Sequence, residues 1–166
     1  MAYLLDADVF IRGKNLHYGM DFCPAFWDWI LHAHSVGRVF SVEKVGDEVR
    51  AVEDELSEWA EARGIGFFLR PDAALFPALE RVGTWAAEQN YAPAAVGGFL
   101  QVADYYLVAQ ALAGGHVVVT HEVPSASIRR IKIPDACIGL GIKCMTPFEM
   151  LRVERARFVL GRGGAA

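Results

Sequence analysis

The sequence predicts an α/β fold in which a central, mostly parallel sheet of four to five strands lies between two layers of helices. Short apolar runs of strand length alternate along the chain with longer segments of helical periodicity, as in parallel sheets joined by helical crossovers. The 166 residues are 54% hydrophobic and 22% charged, which is enough apolar material for one well-packed core. We therefore expect a single domain over residues 1–160 and a flexible tail over residues 161–166.

The first half of the chain predicts two strands and two helices. Pro24 suits the first turn of an aromatic-rich helix. Apolar residues then recur at helical spacing over a longer segment, which Gly64 ends. The predicted elements are a strand at Tyr3–Ala7, a helix at Cys23–Ser35, a strand at Arg38–Val42 and a helix from about Glu43 to Ala62.

The second half continues the alternation. Asp72 is a candidate helix cap, and an apolar segment farther on predicts a helix that carries a single charge, Asp104. The predicted elements are helices at Asp72–Asn90 and from about Gly98 to Leu112, strands at His116–Thr120 and Ile142–Met145, and a last helix from Pro147 to about Leu160.

Charge and composition exclude several classes of protein. A net charge of −4 argues against broad, charge-driven binding of nucleic acid. The most apolar stretch, Ala92–Gly115, contains Pro93 and Asp104, so we expect no membrane-spanning helix. The amino terminus enters a strand without a basic leader, which favours a cytoplasmic protein. Three cysteines without a Cys-x-x-Cys pair, and scattered histidines, indicate neither a disulfide framework nor a zinc site.

Four acidic residues stand where packing alone gives no reason for them. Asp6 and Glu122 come just past two strand-like runs, at the end where open parallel sheets bind their ligands. Asp104 is the lone charge of an apolar helix, and Glu48 borders the apolar stripe of another. Carboxylates without thiolate or imidazole favour a hard cation, Mg²⁺ or Mn²⁺. Together the four residues predict a divalent-metal site.

Each acid also has an ordinary structural explanation. Asp6 or Asp8 is suited to cap the helix after the first strand. Glu48 is consistent with a solvated helix face, and Glu122 with a loop acid. Asp104 is the hardest to explain in this way, although a carboxylate in the first turn of a helix is stabilised by the macrodipole. The metal-site interpretation therefore depends on the set and its order along the chain.

Two basic clusters follow the same strands. Arg12 and Lys14 come after the first strand, and Arg129, Arg130 and Lys132 come after the strand that contains residue 119. Because the strand ends are expected to converge, both clusters would flank the acids and hold phosphate groups there. Scattered basic residues are equally consistent with solvated loops.

The four acids lie in order within short runs that carry a family resemblance. These runs are Tyr3–Ile11, Ser41–Val49, Ala103–Ala109 and Val117–Glu122. They resemble the PIN-domain ribonucleases over nearly the whole chain, and more narrowly a PIN-like family of unknown function whose genes commonly neighbour antitoxin-like regulators. The pair Lys14-Asn15 and the segment Phe22–Trp29 look characteristic of the narrower family.

The resemblance implies a PIN-like, Rossmann-like fold and a metal-dependent endoribonuclease, as in VapC-like toxins of type II toxin–antitoxin systems. Its implied partners are an RNA substrate, a cognate antitoxin and a second copy of the chain in a homodimer. Its implied catalytic, metal-binding residues are Asp6, Glu48, Asp104 and Glu122, and Asp8, Asn15 and Thr120 are candidates to orient those ligands or the substrate. If the substrate is RNA, the basic residues expected to bind its phosphates from their position after the strands are Arg12, Lys14, Arg129 and Arg130.

The chain departs from most PIN domains at one ligand. Glu122 stands after Thr120 where those domains carry Asp, and the longer side chain would move the metal or widen the site. Two other functions remain open. One is an inactive PIN-like module that binds RNA or protein, and the other is a Rossmann-like hydrolase or phosphotransferase that acts on a small phosphorylated substrate. The aromatic segment Phe22–Ile30 is either core or a surface for a dimer or antitoxin.

Overall fold

The computed structural model describes residues 1–161 and contains a single sheet of five parallel strands. The spatial order of the strands is β3-β2-β1-β4-β5. This arrangement confirms the predicted α/β fold with a three-layer α/β/α architecture. The strands are β1 (Tyr3–Leu5), β2 (Val39–Val42), β3 (Phe68–Leu69), β4 (Val117–Val119) and β5 (Cys144–Met145).

The centre of the sheet is covered on both faces. β1 pairs with β2 on one side and with β4 on the other, and Tyr3 is in register with both Val39 and Val117. Every residue of β1 and β4 is buried, which explains why these strands read as continuous apolar runs rather than as alternating patterns.

Helices connect the strands and cover the faces of the sheet. A π-helical turn at Gly13–His17 extends the first helix, and a 3₁₀ turn at Ala73–Leu75 precedes the fifth. The helices within residues 1–161 are α1 (Ala7–Arg12), α2 (Pro24–Ser35), α3 (Glu43–Arg50), α4 (Glu55–Glu61), α5 (Phe76–Glu88), α6 (Pro93–Phe99), α7 (Ala103–Gly114), α8 (Ile133–Leu140) and α9 (Pro147–Val153).

Two of the predicted helices are each divided in the structure. The helix predicted from Glu43 to Ala62 breaks after Arg50, because Asp54 and Ser57 form a capping box that starts α4. The predicted start of the other helix, at Gly98, is wrong. α6 ends at Phe99 and α7 begins at Ala103, so Asp104 lies in a first turn rather than in mid-helix.

Other boundaries differ from the predictions. β1 ends at Leu5, since Asp6 already caps α1. Asp72 makes no side-chain capping bond, and its helix begins with the 3₁₀ turn. α9 stops at Val153 instead of Leu160, and Arg155 there has a left-handed backbone, with φ 55°. Of the predicted tail 161–166, all but Gly161 lies outside the described residues.

The predicted elements do not include α1, β3, α8 or most of α6. β3 is only two residues long, too short for a periodicity signal. α8 is an amphipathic segment that follows the loop after β4 and packs against α5 and α7. No helix within residues 1–161 has the length and hydrophobicity needed to cross a membrane.

The aromatic segment of α2 belongs mainly to the core. Phe26 and Trp27 are buried, whereas Phe22 just before the helix is 68% exposed. Trp27 meets Trp59 edge to face at 5.1 Å between ring centroids, and Trp59 meets Phe67 at 5.6 Å. This cluster fastens α2 and α4 to the sheet on the β2–β3 side, so the core interpretation of the segment is correct for most of it.

Candidate active site

Asp6 lies at the carboxyl end of the central strand and is almost fully buried. The residue is 5% exposed. Its Oδ1 accepts a hydrogen bond from the backbone N–H of Ala7 at 2.7 Å, and its Oδ2 accepts one from the Thr120 hydroxyl at 2.8 Å. Asp6 therefore does cap α1, as its structural explanation supposed, and it also faces the end of β4.

Thr120 also contacts a second carboxylate, that of Asp8. Its hydroxyl oxygen lies 3.1 Å from Asp8 Oδ2 and accepts the backbone N–H of Glu122 at 3.1 Å. The backbone N–H of His121 donates to both oxygens of Asp8, at 3.1 and 3.0 Å. A hydroxyl carries one proton, so it cannot donate to Asp6 and Asp8 at once. The carboxyl groups of Asp6 and Asp8 therefore share a single donor, the hydroxyl of Thr120.

Asp104 and Glu48 approach this pair from helices α7 and α3. Burial, followed by the charges of Glu122 and Glu48, raises the pKa of Asp104 to about 6. Burial and then the charge of Asp8 raise the pKa of Glu48. The five acids that come together from four parts of the sequence therefore lie within electrostatic range of one another.

Among these acids, Asp6 has the most strongly perturbed pKa. Burial raises its pKa well above the ordinary value, and the charges of Asp8, Asp104 and Glu122 raise it further, while the Thr120 hydrogen bond acts in the opposite direction. Within residues 1–161 no ion pair joins Asp6, Asp8 or Asp104 to a basic side chain. Negative charge therefore dominates the cluster, although the charge of Arg130 partly offsets the rise in the pKa of Asp104.

Glu122 differs from the other acids because basic side chains are paired with it. Its Oε2 accepts the backbone N–H of Ile133 at 2.8 Å, and its Oε1 lies 3.2 Å from an Arg130 guanidinium nitrogen and 4.0 Å from Lys132 Nζ. These bonds fasten the loop after β4 to the start of α8.

A cleft of about 700 Å³ opens beside the acids. Glu48 and Asp104 line it together with Arg129 and Arg130, and Lys44 also reaches it. Acidic and basic side chains therefore line the same cleft.

The other predicted basic and polar residues have different surroundings. Arg12 is exposed at the end of α1, and Asn15 is exposed in the π-helical turn. Lys14 Nζ is bound to Asp54 Oδ2 at 2.9 Å and so ties this turn to the start of α4. Arg12 and Asn15 are open to a ligand, whereas Lys14 is already engaged within the chain.

Sequence reasoning missed a group of rings at the edge of the site. His17 stacks on His121 with ring centroids 5.2 Å apart, and Phe148 lies edge-on to His17 at 5.1 Å. Burial lowers the pKa of His121, an effect that Asp8 opposes. The only signal in the sequence was the position of His121 between Thr120 and Glu122, because the three rings are far apart along the chain.

The donor atoms suit a hard cation, but they are not drawn together into a ligand shell. Carboxylate oxygens are the donors that Mg²⁺ and Mn²⁺ prefer. Within residues 1–161, however, no group of three or more His, Cys, Asp or Glu side chains is arranged to hold a metal ion. Asp6 and Glu122 instead direct their oxygens to donors of the protein. Binding would require these side chains to turn.

The comparisons with known proteins bear on the family alone. One family model, described as Domain of unknown function (DUF4411), matches residues 3–158, a span that includes every acid of the site. No curated protein and no solved structure gave a significant match.

Proposed function

The chain belongs to the family of the domain of unknown function DUF4411, and from that premise we propose that it is a metal-dependent endoribonuclease that hydrolyses RNA phosphodiester bonds. One observation carries the proposal. Carboxylates from four distant parts of the sequence come together near the carboxyl ends of β1 and β4, where burial and the charges of neighbouring acids raise the pKa of Asp6, Glu48 and Asp104. Strongly perturbed acids at the ligand-binding edge of a parallel sheet are characteristic of catalytic sites.

The electrostatics favour a divalent cation as the missing partner. Each unit by which a carboxyl pKa rises corresponds to about 1.4 kcal/mol of unfavourable interaction in the charged form. Asp6 and Asp104 both carry such a rise, from burial and from their acidic neighbours. Mg²⁺ or Mn²⁺ would relieve the repulsion, and Asp6, Glu48, Asp104 and Glu122 are the residues that would hold it.

When bound, such a cation would lower the pKa of water and stabilise charge on the phosphate. The protein's own residues have separate tasks. Thr120 orients Asp6 and Asp8 through its one hydroxyl, and the two bonds from the His121 N–H keep Asp8 pointed at the site. No side chain need act as the nucleophile in phosphodiester hydrolysis of this kind.

Arg130 is placed to couple substrate binding to the acids. It pairs with Glu122 at 3.2 Å and also lines the cleft with Arg129. A phosphate in the cleft would compete with Glu122 for this guanidinium, since Arg binds phosphate and carboxylate in the same bidentate manner. Release of Glu122 would then free its carboxylate for the cation.

The toxin role extends the same proposal. We place the activity in the cytoplasm, in a type II toxin–antitoxin pair, with a cognate antitoxin as inhibitor and a homodimer as the active form. Support comes from the resemblance of the acid-bearing runs to PIN-domain ribonucleases. The exposed side chain of Phe22 beside the buried aromatic segment offers one contact point for such a partner.

A second function is favoured by a different observation. The acids are not gathered into a ligand shell, and Glu122 is engaged with Ile133 and Arg130. A PIN-like module that binds RNA in the cleft without cutting it would have these features.

Cleavage of a mixed pool of structured RNA tests the proposal. The wild type is compared with Asp6→Asn and Asp104→Asn in Mg²⁺, in Mn²⁺ and in EDTA. We expect cutting by the wild type in either metal, none in EDTA, and none by the variants. Binding of RNA without cutting, by folded wild type free of any inhibitor, would contradict the nuclease and favour the binding module.

A further inference from the structure

Three aromatic rings form a cluster beside the acids. His17 and His121 are stacked at an interplanar angle of 28°, and Phe148 stands edge-on to them at 87° and 67°, respectively. His17 is exposed, whereas His121 and Phe148 are half-buried. His121 covers one face of the His17 ring and Phe148 contacts it, and the His17 residue is still exposed to solvent.

The cluster is held in place from both ends of the π-helical turn. The Tyr18 N–H closes that turn by donating to the Gly13 carbonyl at 2.7 Å, and Trp27 Nε1 donates to the Tyr18 carbonyl at 2.7 Å. π-Helical turns are rare and concentrate at functional sites. His17 is therefore presented by a rigid support rather than by a loose loop.

Phe148 has a rigid support of its own. Thr146 and Glu149 form a capping box at the start of α9, with hydrogen bonds of 2.7 and 3.2 Å, and Phe148 lies between them in the first turn. Two unrelated elements thus converge to place rings next to His121, the residue that binds Asp8 through its backbone.

The charged residues around the ring cluster indicate which class of ligand it suits. Asp8 adjoins one side of the cluster through His121, and the exposed Arg12 lies at the end of α1, directly before the π-helical turn. A flat, partly exposed π-surface between a cation and a candidate phosphodiester-cleaving site suits an unpaired nucleobase.

We propose that His17, His121 and Phe148 form a stacking platform for one unpaired base of single-stranded RNA. The inference rests on the proposed ribonuclease function, because that function supplies the RNA chain whose base would reach the platform. The base would stack on His17, and Arg12 would hold the adjacent phosphate. The platform selects single strands over duplexes, since a paired base has no free face to offer.

Binding in EDTA tests the platform without cleavage. The affinity of the full chain is measured for a 12-nucleotide single-stranded RNA and for an abasic ribose–phosphate strand of equal length. We expect His17→Ala to bind the RNA roughly 5- to 20-fold more weakly, as loss of one stacked base would require. The abasic strand should bind His17→Ala and the wild type equally. His17→Phe should restore RNA binding, because the aromatic face is what matters.

Two matched variants control the experiment. His32→Ala and Phe76→Ala remove an exposed imidazole and an exposed phenyl ring outside the cluster, and both should bind RNA as the wild type does. Thermal melting checks that each variant is folded. Equal RNA binding by His17→Ala and the wild type would overturn the platform. So would an equal loss for the abasic strand, or failure of His17→Phe to restore binding.

The two proposals fail in different ways. If RNA is cut but His17→Ala binds it as the wild type does, the nuclease stands and the platform falls. If base-dependent binding through His17 is seen without any cutting in Mg²⁺ or Mn²⁺, the platform stands and the nuclease falls. Capture of a protein partner that requires His17, with no base-dependent RNA binding, would reassign the cluster to a protein interface.

Discussion

The acidic residues at the two ends of the sheet have opposite electrostatic surroundings. At the amino end, Glu154 Oε1 accepts the hydroxyl of Tyr3 at 2.7 Å and pairs with Arg38 at 2.8 Å. At the carboxyl end, Asp6 and Asp104 have acidic neighbours, no ion pair within residues 1–161, and raised pKa values. One end carries a neutralised acid and the other a set of charges that repel one another.

Under the proposed function, this difference separates acids that serve only the fold from acids that bind a cation. An acid that serves the fold is paired with a cation or a donor, because an unpaired buried charge destabilises the folded state. The acids at the carboxyl end lower the stability of the protein in the absence of a counter-ion. Such residues are expected where binding or catalysis requires them.

The largest expected effect is on catalysis. Asp6→Asn should lower RNA cleavage by about 100-fold or more, because it removes a charged ligand of the cation. Asparagine can still accept from Ala7 N–H and contact the Thr120 hydroxyl, so the melting temperature should not fall. Glu154→Ala at the other end should leave cleavage per folded molecule unchanged. Cleavage rates and thermal melting of both variants check this contrast, and a variant Asp6→Asn that cuts like the wild type would refute it.

The second effect is a pH dependence of stability. The pKa of Asp104 is about 6 in the folded chain against 3.8 for the ordinary group, so the folded state binds this proton more tightly. The resulting stability is complete below about pH 4 and is lost as the pH rises through 6. In EDTA, Asp104→Asn should therefore exceed the wild type by about 1 to 3 kcal/mol at pH 8 and lose most of that advantage at pH 4.

Urea unfolding of both proteins at pH 4, 6 and 8 measures this difference. A constant gap between the wild type and Asp104→Asn over that range would show that the Asp104 carboxyl is not under electrostatic strain.

The third effect concerns the amino end. Glu154→Ala should lower the free energy of unfolding by about 1 to 2 kcal/mol, because the hydroxyl of the buried Tyr3 loses its acceptor and Arg38 its partner. Urea unfolding at pH 7 is the measurement. Equal stability of Glu154→Ala and the wild type would remove the distinction between the two ends of the sheet.

The smallest expected effect concerns Asp54, another acid that is paired with a basic side chain. Hydrogen bonds from Lys14 and from the Ser57 backbone lower the pKa of Asp54. Lys14→Met should therefore cost about 0.5 to 1 kcal/mol of stability, less in high salt, with RNA affinity unchanged. The sequence-based prediction of Lys14 as a phosphate ligand requires instead a clear loss of RNA affinity, so binding and melting measurements on this variant decide between the two.

The sheet was predictable from the sequence because its strongest signals are local. The strands β1 and β4 are continuous apolar runs, and their pairing follows from burial on both faces. Asp6 and Glu122 were predicted just past the ends of strands and lie there in the structure, whereas Asp104, predicted inside a helix from Gly98, lies in the first turn of α7.

The rest depends on contacts between distant residues. The break between α3 and α4 comes from a reciprocal cap of Asp54 and Ser57 inside a periodic pattern that reads as one helix. The partners of Glu122 and the stacking of His17 on His121 arise only after folding. No spacing rule joins residues 104 positions apart, so nothing in the sequence indicated that His17 and His121 come together.

Isothermal titration calorimetry with Mn²⁺ at pH 7 is the decisive measurement of whether the acids at the carboxyl end bind a divalent cation. We expect saturable binding by the wild type and by Glu154→Ala, and loss of that binding in Asp6→Asn and Asp104→Asn. Absence of binding by the folded wild type, or equal binding by all four proteins, would contradict this expectation.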